Sequence, residues 1–297
     1  MRFGKADGRL KIAVAQIANL PGDAGTNLAV HLHWIAEARR AGVDLLVFPE
    51  LSLTGYAAAP DCAALALPSN AAVLTQLAHA ADGMAVSVGF IEQGEDGRTY
   101  NAQALLRHDR PPAIHRKLNL PGYGKLREDR VYARGDALTL ADLDKHWRIA
   151  TLICADHWNP ALPWLAALSG ATLMLAPAAS ARNAVDGFDN PRGWDINLTH
   201  TALTYGVPVV FANYGGKSGG EHSNADFWGG SRILNATGHE LARADNQATL
   251  IIAEVCATDG QAARQRLPTT RDADPVRVQC LLQEYLERDD QALHKAR

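Results

Sequence analysis

Short apolar runs of strand length recur along this chain, and several stop abruptly at a polar or charged residue. Leu45 to Phe48 gives way to Pro49-Glu50-Leu51-Ser52, Ala113-Ile114 to His115-Arg116-Lys117, and Ile149 to Ile153 to Cys154-Ala155-Asp156-His157-Trp158-Asn159-Pro160. Such runs, rich in β-branched residues and too short for a helix, read as buried strands, and the residues that follow cannot continue one. Between them the apolar period lengthens to that of a helix. Leu28, Leu32, Ile35 and Arg39 mark one ending before Gly42; Asn70 to Ala81, Ala161 to Leu168 and Trp194 to Tyr205 mark three more. Leu10 to Ile17 alternates as a strand, Ala85 to Ile91 and Tyr100 to Leu106 form a pair across Gln93-Gly94-Glu95-Asp96-Gly97, and Ala171 to Ala176 and Val207 to Ala212 are further strands. Ser231 to Leu234, His239 to Arg243 and Leu250 to Glu254 read as a short meander turning on Asn235-Ala236-Thr237-Gly238. Two βα-rich halves, each flanked by hairpins, predict an α/β fold: an α-β-β-α sandwich of two packed mixed sheets with helices outside.

At 297 residues the chain is long enough for one large α/β domain or two smaller ones. No composition shift marks a linker. The expected division is one domain over residues 1–257 and an extension over 258–297 rich in Arg, Asp and Gln. Within that extension Pro275 to Arg288 predicts a helix whose Val276, Val278, Leu281, Leu282 and Tyr285 form an apolar stripe, suited to packing on the domain or to a dimer contact.

Net charge is −3, which argues against nucleic acid or an anionic membrane as partner. Met1 to Lys11 is polar and basic with no apolar segment behind it, and no run approaches ~18 apolar residues, so neither secretion nor membrane insertion is expected. The cysteines at 62, 154, 256 and 280 are far apart and form no Cys-x-x-Cys pair, unlike a zinc cluster or a disulfide framework. A cytoplasmic protein with reduced thiols is the simplest expectation.

The strand ends carry the chemistry. Cys154 sits where a strand yields to a loop, so a thiolate there is placed to attack a carbonyl carbon while the next backbone N–H groups face the oxyanion. Glu50 and Lys117 follow other strands, and charges at buried strand ends are costly unless paired. Together they make one site: Glu50 as proton acceptor and donor, Lys117 as oxyanion stabiliser, Cys154 as nucleophile. Taken singly, each has a plainer reading: Cys154 as a small core residue, Glu50 as a loop carboxylate, Lys117 within a solvated basic run, and Glu128 within the charged run Arg127-Glu128-Asp129-Arg130.

Pro49-Glu50, Arg116-Lys117-Leu118 and Cys154-Ala155-Asp156, in that order, resemble the carbon–nitrogen hydrolase (nitrilase) superfamily. The likeness runs from Leu10 to about Glu254. It implies an α-β-β-α sandwich that commonly dimerises and a Glu-Lys-Cys triad of Glu50, Lys117 and Cys154. It also implies Glu128 as a second, positioning carboxylate, because Pro121-Gly122-Tyr123-Gly124-Lys125-Leu126-Arg127-Glu128 is similar to the family's Pro-x-Tyr-Gly-x-Phe-x-Glu, with Leu126 in place of the aromatic. Cys154-Ala155-Asp156-His157-Trp158-Asn159-Pro160, with Asn213-Tyr214-Gly215-Gly216 and Gly229-Gly230-Ser231, resembles the branch that hydrolyses glutamine amides. Ala155 departs from the acidic residue usual after the nucleophile.

What the resemblance implies is hydrolysis of a small linear or ω-carboxamide through a thioester, with the Ala155 N–H beside Lys117 at the oxyanion and with no metal or organic cofactor. Lys117 is expected to lower the Cys154 thiol pKa. Nitrile hydrolysis, carbamoylamine hydrolysis and a silent, ammonia-delivering subunit are the alternatives. Tyr123 and Trp158 are candidate pocket walls, Ser180 and Arg182 candidate substrate contacts in the loop from Ala178 to Asn190, and Arg182 is suited to a substrate carboxylate. Lys217, Glu221 and His222 are candidates for the pocket mouth.

Overall fold

The computed structural model describes residues 7–56, 62–216 and 225–295. Its first strand, β1 (Arg9–Gln16), sets the layering. Ile12 and Val14 enter one apolar core while Ala13 and Ala15 enter another, because successive side chains of a pleated strand point to opposite faces. A strand apolar on both faces must be covered on both. The first half continues through α1 (Ala24–Arg40), β2 (Leu45–Val47), α2 (Cys62–Leu65), β3 (Leu67–Pro68), α3 (Ala72–Ala80), β4 (Ala85–Gln93), β5 (Thr99–Arg107) and β6 (Arg110–Arg116). The second half contains β7 (Leu140–Asp142), β8 (Arg148–Thr151), α4 (Ala155–Trp158), α5 (Ala161–Leu168), β9 (Leu173–Pro177), α6 (Asn190–Tyr205), β10 (Val209–Ala212), β11 (Arg232–Leu234) and β12 (Glu240–Arg243). It closes with β13 (Thr249–Cys256), α7 (Ala257–Arg266) and α8 (Pro275–Lys295).

Two mixed sheets result. One runs β13-β1-β2-β4-β5-β6 with β3 beside β4, the other β12-β11-β10-β9-β8-β7. In each, a parallel middle is flanked by antiparallel strands: β1, β2 and β4 in one, β8, β9 and β10 in the other. Ile12, Val14 and Val47 meet Trp147, Ile149, Leu175 and Val210 between the sheets. Ile35 and Leu77 close the outer face of the first sheet, and Ala166, Trp194 and Leu198 that of the second. The molecule is therefore the α-β-β-α sandwich expected.

The meander is not formed as expected. β11 and β12 pair, but β13 crosses to the other sheet and pairs with β1 along its whole length, from Arg9↔Cys256 to Gln16↔Thr249. Leu250 and Ile252 face the helix-side core while Ile251 and Ala253 face the inter-sheet core, so β13 needs apolar cover on both sides. The free edge of β1 supplies it; β12, mostly exposed, does not.

The carboxyl ends of the parallel strands converge, which is where open α/β sheets bind ligands. Glu50 follows β2, Cys154 follows β8, Ala179 and Ser180 follow β9, and Asn213 and Tyr214 follow β10. At the far end of the chain, α7 packs on the αL cap of α6 through Arg264 Nη1, which donates to Gly206 O at 2.9 Å. The predicted stripe of α8 faces outward, with Val276, Val278, Leu281, Leu282 and Tyr285 all exposed. Among the described residues no helix is long and apolar enough to cross a membrane.

Candidate active site

Lys117, directly after β6, is fully buried, and its ammonium lies 2.6 Å from Glu50 Oε1 and 2.7 Å from Glu128 Oε2. Three ionisable groups are tolerable in one buried spot because each carboxylate meets the ammonium. Glu50 Oε1 also accepts from Asn101 Nδ2 at 2.7 Å, and Oε2 accepts from the Ala179 N–H at 2.8 Å. The Tyr56 hydroxyl donates to Glu128 Oε1 at 2.9 Å. The backbone is tied as well: Lys117 N–H donates to Asn101 O, and the Tyr214 hydroxyl donates to Glu50 O, both at 2.8 Å. Burial pushes the Glu128 carboxyl up to about 7, against the pull of Lys117 and with a push from Glu50.

Cys154 occupies the sharp turn between β8 and α4 with φ 45° and ψ −99°. A positive φ is costly for a residue with a Cβ and persists only where its surroundings impose it. They do: Cys154 N–H donates to Pro177 O at 2.9 Å, and Cys154 O accepts from His157 N–H at 3.0 Å. The turn presents the sulfur to a cavity of about 360 Å³ whose walls include Ala155, Tyr123, Trp158, Ser180 and Glu128. Burial, seconded by Glu50, pushes the thiol pKa up, and Lys117 opposes this without reversing it. The expected lowering by the lysine is thus outweighed, first by burial and then by the charge of Glu50.

The family model for carbon-nitrogen hydrolases matches residues 11–265, nearly the whole sandwich and the start of the tail. This chain belongs to the carbon-nitrogen hydrolase family.

Its relatives include the glutamine-dependent NAD(+) synthetase of Thermotoga maritima, 30% identical over 256 residues. That match covers 84% of this chain and only 42% of the synthetase, so the chain spans less than half the length of that relative. The omega-amidase of Bos taurus is 26% identical, with 88% of this chain and 92% of that protein covered. Among solved structures, the amidase from Nesterenkonia sp. AN1 carrying the acetamide moiety of fluoroacetamide on its active-site cysteine superposes with a TM-score of 0.76 at 23% identity, covering 94% of this chain and 99% of that one. At that identity the likeness speaks for the fold.

Asp156 organises the site without touching the cavity. Fully buried, its Oδ1 accepts the Leu118 and Asn119 N–H groups at 2.9 and 2.7 Å, and its Oδ2 accepts from Ile153 N–H and His115 Nε2, both at 3.1 Å. One carboxylate thus fastens the lysine segment to the cysteine turn. Asn213 does the same for the β9 loop, with Oδ1 accepting from Ser180 N–H at 2.8 Å and Nδ2 donating to Ser180 O at 3.1 Å. The only sequence signal for either was its place in a motif.

The remaining candidates divide. Tyr123 and Trp158 wall the cavity, and the Ala155 N–H heads α4 beside it, outside the intrahelical ladder. Ser180 also lines it, but its Oγ accepts the indole N–H groups of Trp194 and Trp228 at 3.0 and 3.1 Å. Arg182 is exposed and forms no part of the described cavity wall, and its N–H donates to Asp226 O at 2.8 Å. Lys217, Glu221 and His222 lie outside the described residues. Among the described residues no cluster of His, Cys, Asp and Glu is arranged to hold a metal ion.

Proposed function

We propose that this chain is a cysteine-dependent amidase that hydrolyses a small non-peptide carboxamide to its carboxylate and ammonia through a thioester. The observation that carries the reading is the Glu50–Lys117–Glu128 cluster beside a cysteine held at a strained strand-to-helix turn that opens on a cavity. A carboxylate offers about four acceptor positions. Lys117, Asn101 and Ala179 occupy three on Glu50, leaving one for the thiol proton. An ammonium has three donors, and two of those on Lys117 go to carboxylates, leaving one for an oxyanion.

The steps follow from that inventory. Sulfur attacks the amide carbon as Glu50 takes the thiol proton, so no free thiolate is required beforehand. Lys117 and the Ala155 N–H hold the tetrahedral oxyanion. The C–N bond breaks as Glu50 protonates the nitrogen, releasing ammonia and leaving a thioester on Cys154. Glu50 then takes a proton from water, hydroxide equivalent adds to the thioester, and the carboxylic acid leaves as sulfur regains its proton.

Hydroxylamine tests this directly, because it intercepts an acyl thioester. Incubation with amides and hydroxylamine is expected to yield hydroxamate with the protein as purified and none with Cys154→Ala. Absence of hydroxamate and of ammonia from every amide would reject the reading. Carbon dioxide released together with ammonia would redirect it to a carbamoylamine.

The exposed apolar stripe of α8 supports assembly of this enzyme as a homodimer. Light scattering is expected to give twice the chain mass of 31.9 kDa, and a monomer mass at micromolar concentration would reject the assembly.

A further inference from the structure

We infer that the acyl group accepted at this site is apolar and uncharged, an aromatic or branched aliphatic carboxamide rather than one bearing a carboxylate. The inference rests on the amidase reading above and concerns what lies beyond the reacting carbon. Trp158 stands at the centre of an aromatic wall, with its ring centroid 5.8 Å from Phe188 and 5.2 Å from Trp194, both edge to face. Gly193 makes that wall possible: a Cβ there would lie 2.7 Å from the Trp158 ring and 2.8 Å from Phe188. Any larger residue would push the rings apart.

Leu126, Ala184 and Val185 complete the lining from two loops that are fastened together. Lys125 N–H donates to Ala184 O at 3.0 Å, and Gly124, at φ +59°, passes so near that a Cβ would sit 2.5 Å from the same oxygen. The apolar shape of the mouth is therefore built into the backbone. The cavity, about 360 Å³, is also more than twice the roughly 150 Å³ of an engineered cavity that holds benzene, so an amide with a ring-sized substituent fits.

The polar groups in the wall point the same way. Glu128 is an acceptor already bound to Lys117 and Tyr56, and Ser180 Oγ already accepts two indole N–H groups. Among the described residues no lysine or arginine lines the cavity: Lys117 is held by two carboxylates, Lys125 is exposed 3.5 Å from Asp186, and Arg182 is exposed outside the wall. A carboxylate on the substrate would therefore enter an aromatic box with no cationic partner among the described residues of its wall, and lose its hydration.

The test compares kcat/KM of the full chain for phenylacetamide and isobutyramide with that for glutamine and succinamate. The neutral apolar amides are expected to be preferred by about 100-fold or more, the scale set by mismatching a buried pocket. Phe188→Arg, at a half-exposed position where folding is retained, is expected to move the ratio at least about tenfold toward succinamate by supplying a carboxylate partner. Preference for glutamine or succinamate, or a ratio unmoved in Phe188→Arg with the melting temperature unchanged, overturns the inference and leaves the amidase reading standing. Ammonia released from none of the four overturns the inference; ammonia and hydroxamate from no amide at all overturns both.

Discussion

A lysine buried between two carboxylates ties the charge state of this site to proton uptake by Glu128. With that carboxyl raised to about 7, acidification from neutrality protonates it and removes one of the two anions that hold Lys117 in place. The rate is therefore expected to rise as pH climbs through about 7. Glu128→Gln, which keeps the shape and loses the charge, should lower kcat by about 100-fold and erase that inflection; an inflection that persists in the variant would assign it to another group. Asp156→Asn removes a buried anion that five donors share across two segments, and should cost about 3 kcal/mol in urea unfolding. It acts by positioning, so kcat should fall while KM changes little, and a change confined to KM would contradict that role. Glu50, Lys117 and Cys154 were legible in the sequence because each ends a strand-like run with a polar residue. Asp156 was not, since the N–H groups it accepts from Leu118 and Asn119 come from residues 38 and 37 positions earlier, a relation only folding creates.

Elements were legible in proportion to how local their signal is. α5 runs over the span its apolar period marks, whereas α6 begins at Asn190 rather than Trp194 because its start is set by Asp189, whose carboxylate accepts from Arg192 N–H at 3.1 Å with Pro191 in the first turn. That capping signal was present and went unread beside the apolar one. The partner of β13 was beyond reach, because alternation shows that a strand needs apolar cover but not which edge supplies it. The strand beneath Glu50 carries its own constraint. Gly89 in β4 passes under the Glu50 turn so closely that a Cβ would lie 2.2 Å from Leu51 N and 2.7 Å from Pro49 O. Backbone cannot yield there as a flexible side chain would. Gly89→Ala should thus lower the thermal midpoint by several degrees, corresponding to about 2–3 kcal/mol, and depress activity further by displacing Glu50. Wild-type stability and activity in that variant would contradict the close approach.

For the molecule as a whole, two buried histidines set an acid limit. His31 and His157 are lowered to about 4 by burial, whereas an unfolded histidine takes its proton near 6.5. Between those values the unfolded chain binds more protons than the folded one, so their stabilisation is complete above about 6.5 and drains away as pH falls toward 4. Melts from pH 7 to 4.5 should show a falling midpoint, and His157→Phe should make the fall shallower by about one proton; an identical slope in the variant would contradict it. The account as a whole turns on one sulfur receiving the acyl group. Intact mass of the full chain, quenched in acid during turnover of phenylacetamide, reads this most directly. The predicted result is a species heavier by the amide mass less ammonia, mapped to Cys154 and missing from Cys154→Ala. Ammonia release with no such species, together with activity retained in Cys154→Ala, would contradict it.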